Sequence, residues 1–235
     1  MLIPALKKVV SFILDSVYPP FCWNCGGSTD NSVGLCALCA EKISPIDKFC
    51  SRCGSVQQTE STPSCAYCSS KRLPYEFCRS LFRYDGVFRK LLTAHKYSSD
   101  TAATRILKHL INSLPLSLDF HPDVIVPVPQ DRRRLRKRGY DHLVPFARLI
   151  ASKLGNIPVL SLLRKKVATP PQASLSDSMR KKNLIGAFEV IPTPLPKKSK
   201  ALLFDDVTST GATLKECAKT LKKAGYIVGL LTLSR

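Results

Sequence analysis

The 235-residue sequence has no apolar run long enough to cross a membrane. Its most apolar terminal piece, Leu2 to Val17, is interrupted by Lys7, Lys8 and Asp15. No small-residue cleavage site follows it, so a secretory leader is not expected, and the expected location is the cytoplasm. The pattern G-x-x-x-x-G-K-[ST] is missing, which excludes a P-loop nucleotide site. Acid is scarce: 17 Asp and Glu stand against 36 Lys and Arg, for a net charge of +19. The shortage is local. Residues 1–78 hold 7 basic and 6 acidic side chains, whereas residues 79–235 hold 29 and 11, a balance of +18. Such a surplus attracts polyanions, either nucleic acid or a pyrophosphate ester, although a merely basic surface has the same composition. Large apolar residues are also thin between positions 22 and 68, too few to fold that window without help.

What the window has instead is cysteine. Eight of the ten cysteines form four Cys-x-x-Cys pairs: Cys22/Cys25, Cys36/Cys39, Cys50/Cys53 and Cys65/Cys68. Ten and eleven residues separate the pairs within each group of four. This is zinc-ribbon spacing, because one Cys-x-x-Cys turn aims two thiolates at an ion and a second completes a tetrahedron. Gly26, Gly27 and Gly54 follow their knuckles, where backbone must come close to sulfur. A disulfide scaffold needs secretion, and a thioredoxin-like site explains one pair, not four. Two structural Zn2+ ions are expected, paired sequentially; an interleaved pairing has the same spacing. Cys78 and Cys217 stand alone and read as small core residues. Trp23 reads as packing rather than as a nucleic-acid stacker. Before the ribbons, Leu2, Leu6, Val9, Val10, Ile13 and Val17 share one helical face. An amphipathic helix over residues 1–20 is expected to pack on the body of the protein or, less readily, on a membrane surface.

The rest of the chain is organised around residues 201–214. Ala201 to Phe204 is a continuous apolar run, as in a parallel strand covered on both faces. Asp205 and Asp206 follow, read as exposed acids at the strand's carboxyl end. Then come Thr208, Ser209, Thr210, Gly211, Ala212 and Thr213. Leu214, Cys217, Ala218 and Leu221 repeat at helical spacing, and Gly225 is placed to end the helix. A loop opening a helix offers free N–H groups to an anion, here with added hydroxyls and a glycine that lets backbone approach. The acids cannot hold phosphate; they suit ribose hydroxyls, or Mg2+ carried by phosphates. A ribose 5-phosphate satisfies both halves. The alternative is a plain strand-turn-helix with a Thr-rich cap.

A second strand-loop-helix unit precedes it. Asp123 to Val128 reads as a strand ending in Pro127-Val128-Pro129. The next loop carries Arg132, Arg133, Arg134, Arg136, Lys137 and Arg138, six cations in seven residues. Arginine forks suit phosphate, and α/β folds bind ligands at strand ends; a solvated charge run is the plainer alternative. The following helix puts Leu143, Phe146, Ala147, Ile150 and Leu154 on one face. Leu81 to Tyr84 reads as a strand, Val87 to His95 and Ala102 to Ile111 as helices broken at Ser98-Ser99-Asp100, and Ile227 to Leu233 as a last strand. Residues 167–188 lack a period, and read as a lid or as a plain surface loop.

Leu203-Phe204-Asp205-Asp206-Val207-Thr208-Ser209-Thr210-Gly211-Ala212-Thr213 resembles the phosphoribosyl-pyrophosphate (PRPP) motif of type I phosphoribosyltransferases. The resemblance implies that Asp205 and Asp206 sit at the reacting sugar and that residues 208–213 hold the 5-phosphate. Purine-specific members usually carry an acid where Ser209 stands, which argues against purine salvage. The whole chain resembles the ComF family. The matching features are the Cys-x-x-Cys module, His95-Lys96-Tyr97, Val126-Pro127-Val128-Pro129, Arg136-x-Arg138-Gly139-Tyr140, Gln172-x-x-Leu175 with Arg180-x-x-Asn183, and the acid pair. Where the family usually has Asn-Gln after Arg-Gly-aromatic, this chain has Asp141-His142.

The resemblance implies an α/β fold: a type I phosphoribosyltransferase-like, Rossmann-type parallel sheet behind a four-cysteine zinc-ribbon module. The expected divisions are residues 1–20, the double ribbon 21–78 and the phosphoribosyltransferase-like domain 79–235. The arginine run would face pyrophosphate, with Lys96 and Arg180 as further candidates on the anionic rim. It also implies a part in natural competence or use of imported DNA, with PRPP and Mg2+ as ligands. An enzyme would displace pyrophosphate from C1 of PRPP, though no side chain stands out as a base. The rival is a binding module for single-stranded DNA, or a scaffold for other competence proteins.

Overall fold

The structure, a computed structural model, describes residues 21–29, 33–98, 100–166 and 184–235. The amphipathic helix expected over 1–20, and Arg180 with the rest of the 172–183 motif, lie outside these. In chain order the described elements are α1 (Ala37–Ala40), α2 (Ala66–Ser69), β1 (Cys78–Phe82), α3 (Gly86–Ser98), α4 (Thr101–Ser113), β2 (Val124–Pro127), α5 (Arg132–Arg138), α6 (Val144–Lys153), β3 (Leu163–Lys165), β4 (Phe188–Val190), β5 (Lys200–Val207), α7 (Ala212–Lys223) and β6 (Ile227–Ser234). They group into two compact units. Described residues up to Ser44 belong with Asp85–Ser113, and Pro45–Tyr84 belong with Leu114–Arg235. The two cysteine quartets therefore fall in different units.

In the first unit, α3 buries Val87, Phe88, Leu91, Leu92 and His95, and α4 buries Ala103, Ile106, Leu107 and Ile111. These are the stripes that a 3.6-residue period produces. Asp100 makes the break between the helices. Its Oδ1 accepts the Ala103 N–H at 2.9 Å, an N-cap, and its Oδ2 accepts the Trp23 indole N–H at 2.8 Å. The Ala103 bond first, then the Trp23 bond, hold the carboxyl below its usual range. Trp23 thus ties the first cysteine quartet to the start of α4. His95 is buried, with Nδ1 2.7 Å from Thr104 Oγ1.

The second unit is built on a four-stranded parallel sheet in the order β1-β6-β5-β2. Residues 124–126, 201–204 and 228–234 are buried, as the near-continuous apolar runs of a sheet covered on both faces must be. Helix α6 packs on β2, and α7 packs on β5 and β6. The second ribbon is joined to this sheet by backbone: the Ile46 N–H donates to Leu81 O at 2.8 Å and the Cys78 N–H to Ser51 O at 3.1 Å.

Beyond a shift of β1 to Cys78–Phe82 from the expected Leu81 to Tyr84, three local features differ from the sequence reading. The arginine run is not a loop but the helix α5. It has no apolar period to announce it; its ends make it. Asp131 Oδ1 caps the Arg133 N–H at 2.9 Å, and Gly139, at φ +80°, closes it in the left-handed region that favours glycine. Strands β3 and β4 pair antiparallel, Leu163 opposite Val190, on either side of residues 167–183. Three-residue strands are too short to show a period. Finally, β5 does not stop at Phe204 but runs on through Asp205, Asp206 and Val207.

Candidate functional site

Each cysteine quartet is a knuckle followed by a helical turn. Around Cys22 and again around Cys50 the chain folds back on itself: the Cys22 N–H donates to Gly27 O and the Cys50 N–H to Ser55 O. The second pair of each quartet then sits on α1 or α2. Cys22, Cys25, Cys36 and Cys39 bring their sulfurs within 4.8 Å of one another, and so do Cys50, Cys53, Cys65 and Cys68. A tetrahedron of Zn–S bonds of about 2.3 Å needs sulfurs about 3.8 Å apart. The separations Cys25–Cys36 (3.8 Å), Cys50–Cys68 (3.5 Å), Cys53–Cys65 (3.6 Å) and Cys65–Cys68 (3.7 Å) meet that test. These are two four-cysteine zinc sites, paired sequentially along the chain. Every position of each tetrahedron is a protein thiolate, so the metal's role is to hold the ribbon together.

The second candidate site lies where β5 meets α7. Because β5 continues through both acids, Asp205 and Asp206 take the alternation of a strand and point to opposite faces. Asp205 is half-buried and lines a cavity of about 60 Å³ together with residues 207–214 and Leu184. Gly211 adopts φ +69° at the start of α7, and Ser209 and Thr210 are exposed. Thr208 is buried, with its N–H on Ser234 O at 2.9 Å, so it extends the sheet pattern before the loop turns.

Asp206 faces the other way and is 6% exposed. The expectation of two exposed acids therefore fails at Asp206. Its Oδ2 accepts a hydrogen bond from His142 Nε2 at 2.6 Å, and the other ring nitrogen, Nδ1, is held by Arg138 Nη1. Sequence reasoning noted His142 only as a departure from the family's usual amide pair and gave it no role. The available signal was its position: four residues after the last arginine of α5 and just past the turn at Gly139. Asp141, beside it, caps the next segment by accepting the Leu143 N–H at 2.9 Å.

The structure thus brings together Asp205, residues 208–213 and, through Asp206, the end of the arginine helix. The backbones of Arg132, Arg133, Arg134, Arg136, Lys137 and Arg138 all lie in α5, and β2, which leads into it, is hydrogen-bonded to β5. Arg133 and Arg136 are exposed. Lys96 lies in α3, in the first unit.

A larger cavity, about 240 Å³, shares residues 208–211 with the first. Its other walls include Tyr67 and Tyr75 from the second ribbon region, Lys215 of α7 and Arg235; among the described residues no Asp or Glu lines it. Lys71 Nζ sits 3.4 Å and Lys215 Nζ 5.8 Å from the centre of the Tyr67 ring. The Lys215 charge, then Lys71, hold the Tyr67 phenol below its usual range.

Among the described residues no helix is long and apolar enough to cross a membrane. Residues 13–72 match the double zinc ribbon domain family. Competence protein F of Haemophilus influenzae is 30% identical over 216 residues, which is 87% of this chain and 91% of that protein. The DNA utilization protein YhgH of Salmonella typhi is 29% identical, over 88% and 92%. Competence protein ComFC of Streptococcus pneumoniae is 22% identical, over 81% and 82%. An adenine phosphoribosyltransferase structure from Leishmania tarentolae aligns over 59% of both chains at 16% identity, with a TM-score of 0.33, a likeness too slight to argue from. With its two four-cysteine ribbons, its parallel α/β sheet and a 30% identical match to Competence protein F along most of both chains, the chain belongs to the ComF family.

Proposed function

We propose that this protein binds PRPP with Mg2+ at residues 205–213 and serves natural competence or the use of imported DNA. The observation that carries the reading is the cavity at the end of β5, where a carboxylate and a loop opening a helix line the same space. Asp205 is suited to ribose hydroxyls. The loop's N–H groups, the hydroxyls of Ser209, Thr210 and Thr213, and the helix dipole of α7 suit a 5-phosphate. Parallel strands end at one edge of a sheet, so α5 opens from the strand end beside Asp205 and offers cations to the pyrophosphate. Mg2+ carried on the pyrophosphate would offset its charge. Such a site supports displacement at C1: the bond to pyrophosphate breaks, and a bond to an acceptor forms, through an oxocarbenium-like state. The relatives' names, which speak of competence and DNA utilization, agree with the cellular role. Zinc-binding thiolates fit a reducing cytoplasm.

Calorimetry with PRPP and Mg2+ on the zinc-loaded chain tests binding. Asp205→Asn should lose about 1–3 kcal/mol, the worth of a charged hydrogen bond. Equal affinity in the two folded proteins would leave the loop a structural turn. Pyrophosphate release, with and without DNA, then separates an enzyme from a binding module.

A second reading is favoured by the charge balance of +18 in residues 79–235 and by the Tyr67 cavity with its flanking lysines. Single-stranded DNA would meet cations for its phosphates and a ring for its bases. Its affinity should fall steeply with salt as counterions are released. A flat salt dependence would remove this reading.

A further inference from the structure

The link between the acid pair and the arginine helix is a buried imidazole, and its hydrogen bonds fix its proton. Arg138 has only N–H groups to offer, so the His142 Nδ1 facing its Nη1 must be the acceptor. The proton is then on Nε2, and Nε2–H donates to Asp206 Oδ2 at 2.6 Å. The imidazole is therefore neutral and polarised one way: guanidinium to Nδ1, Nε2–H to carboxylate. His142 is 3% exposed and Asp206 is 6% exposed. The backbone of Asp206 is fixed as well, since its N–H donates to Asp205 Oδ1 at 2.9 Å and its carbonyl accepts the Ser234 hydroxyl at 3.1 Å.

We infer that His142 is a positioning residue for the ligand site. It acts by locking Asp206 to the end of α5 in the neutral Nε2–H form. Two consequences follow for the site. Asp206, turned inward and bonded, is the acid that fixes the strand end, which leaves Asp205 as the acid facing the cavity. The last residue of the arginine helix, Arg138, is tied to the same point, so the cationic helix and the phosphate loop keep a fixed spacing. One molecule that carries a sugar between two phosphate groups needs that spacing held before it arrives. The inference rests on the proposed PRPP reading for its effect on affinity, but not for its hydrogen-bond geometry.

The full-length, zinc-loaded protein tests both. Nitrogen-15 spectra of the imidazoles, with the His142 signals assigned by their loss in His142→Gln, should show a neutral ring protonated on Nε2. A ring protonated on Nδ1, or averaging between tautomers, would overturn the inference. In PRPP–Mg2+ calorimetry, His142→Gln keeps one donor and one acceptor and should bind within about threefold of wild type. His142→Leu keeps bulk without either and should bind at least tenfold more weakly at an unchanged near-ultraviolet circular dichroism spectrum. Leu binding like wild type, or Gln falling as far as Leu, would also overturn it. If His142→Leu does not fold, the Gln variant and the spectrum decide. If wild type itself binds no PRPP, the proposed function fails, and the tautomer alone judges the relay.

Discussion

The two acids of the strand end should behave differently when removed, and the difference can be worked from their partners. Asp206→Ala deletes a carboxylate that accepts a 2.6 Å bond from an imidazole 3% exposed. Hydrogen bonds to charged groups are worth about 1.5–3 kcal/mol, and the His142 N–H is left buried with that bond gone. For a chain of this size each kcal/mol shifts the melting temperature by about 2–4 °C. The loss should therefore be several degrees, roughly 3–12 °C. Asp205 is half-buried at the cavity, and its bond to the Asp206 N–H is replaceable by water. Asp205→Ala should cost about 1 kcal/mol or less. Urea unfolding of zinc-saturated protein measures both, and His142→Leu closes a double-mutant cycle with Asp206→Ala. Contacting residues in one network couple by about 0.5–3 kcal/mol. Equal losses for the two acids, or additive losses for His142 and Asp206, would refute the division of roles.

Elemental analysis should give two zinc equivalents per chain, and a chelator strong enough to strip them should unfold both ribbons. One equivalent, or ready alkylation of the eight ligand cysteines in the native protein, would contradict the paired sites. Asp100→Ala removes the cap of α4 and the Trp23 partner, at about 1–3 kcal/mol together. Trp23 is the chain's one tryptophan, so its emission in a urea titration reports that unit, and an unshifted midpoint would deny the anchor.

Much of this architecture is legible in residues, for definite physical reasons. The ribbons are legible because metal ligands are chemically distinctive and their spacing is fixed by the turn that carries them. Strands β2, β5 and β6 are legible because a sheet covered on both faces demands unbroken apolar runs such as Val124 to Val126. Helices α3, α4 and α7 show their buried stripes directly. The hairpin of β3 and β4 was not legible, since Leu163 to Lys165 is too short to carry a period and its partner lies more than twenty residues on. Helix α5 was hidden by composition. Six cations look like solvated loop, and only Asp131 and Gly139 at the ends give the helix away.

The acid pair was legible as chemistry but not as geometry. An apolar run that ends at Phe204 reads as the end of a strand, because charged residues ordinarily leave a buried sheet. The strand continues because each buried polar group of Asp206 has a partner: the N–H on Asp205, the carbonyl on Ser234 and the carboxylate on His142. Those partners come from three places, of which two are 28 and 64 residues distant. No local pattern can announce them. Once the strand is known to run on, the tertiary contacts fall into an order. Alternation sends one acid inward and one outward, the inward acid requires a buried donor, and the donor that meets it also meets Arg138. On the proposed reading, two adjacent and identical residues have different work. A ligand approaching residues 208–213 would meet one carboxylate, and the second would set where the cations of α5 stand when it does.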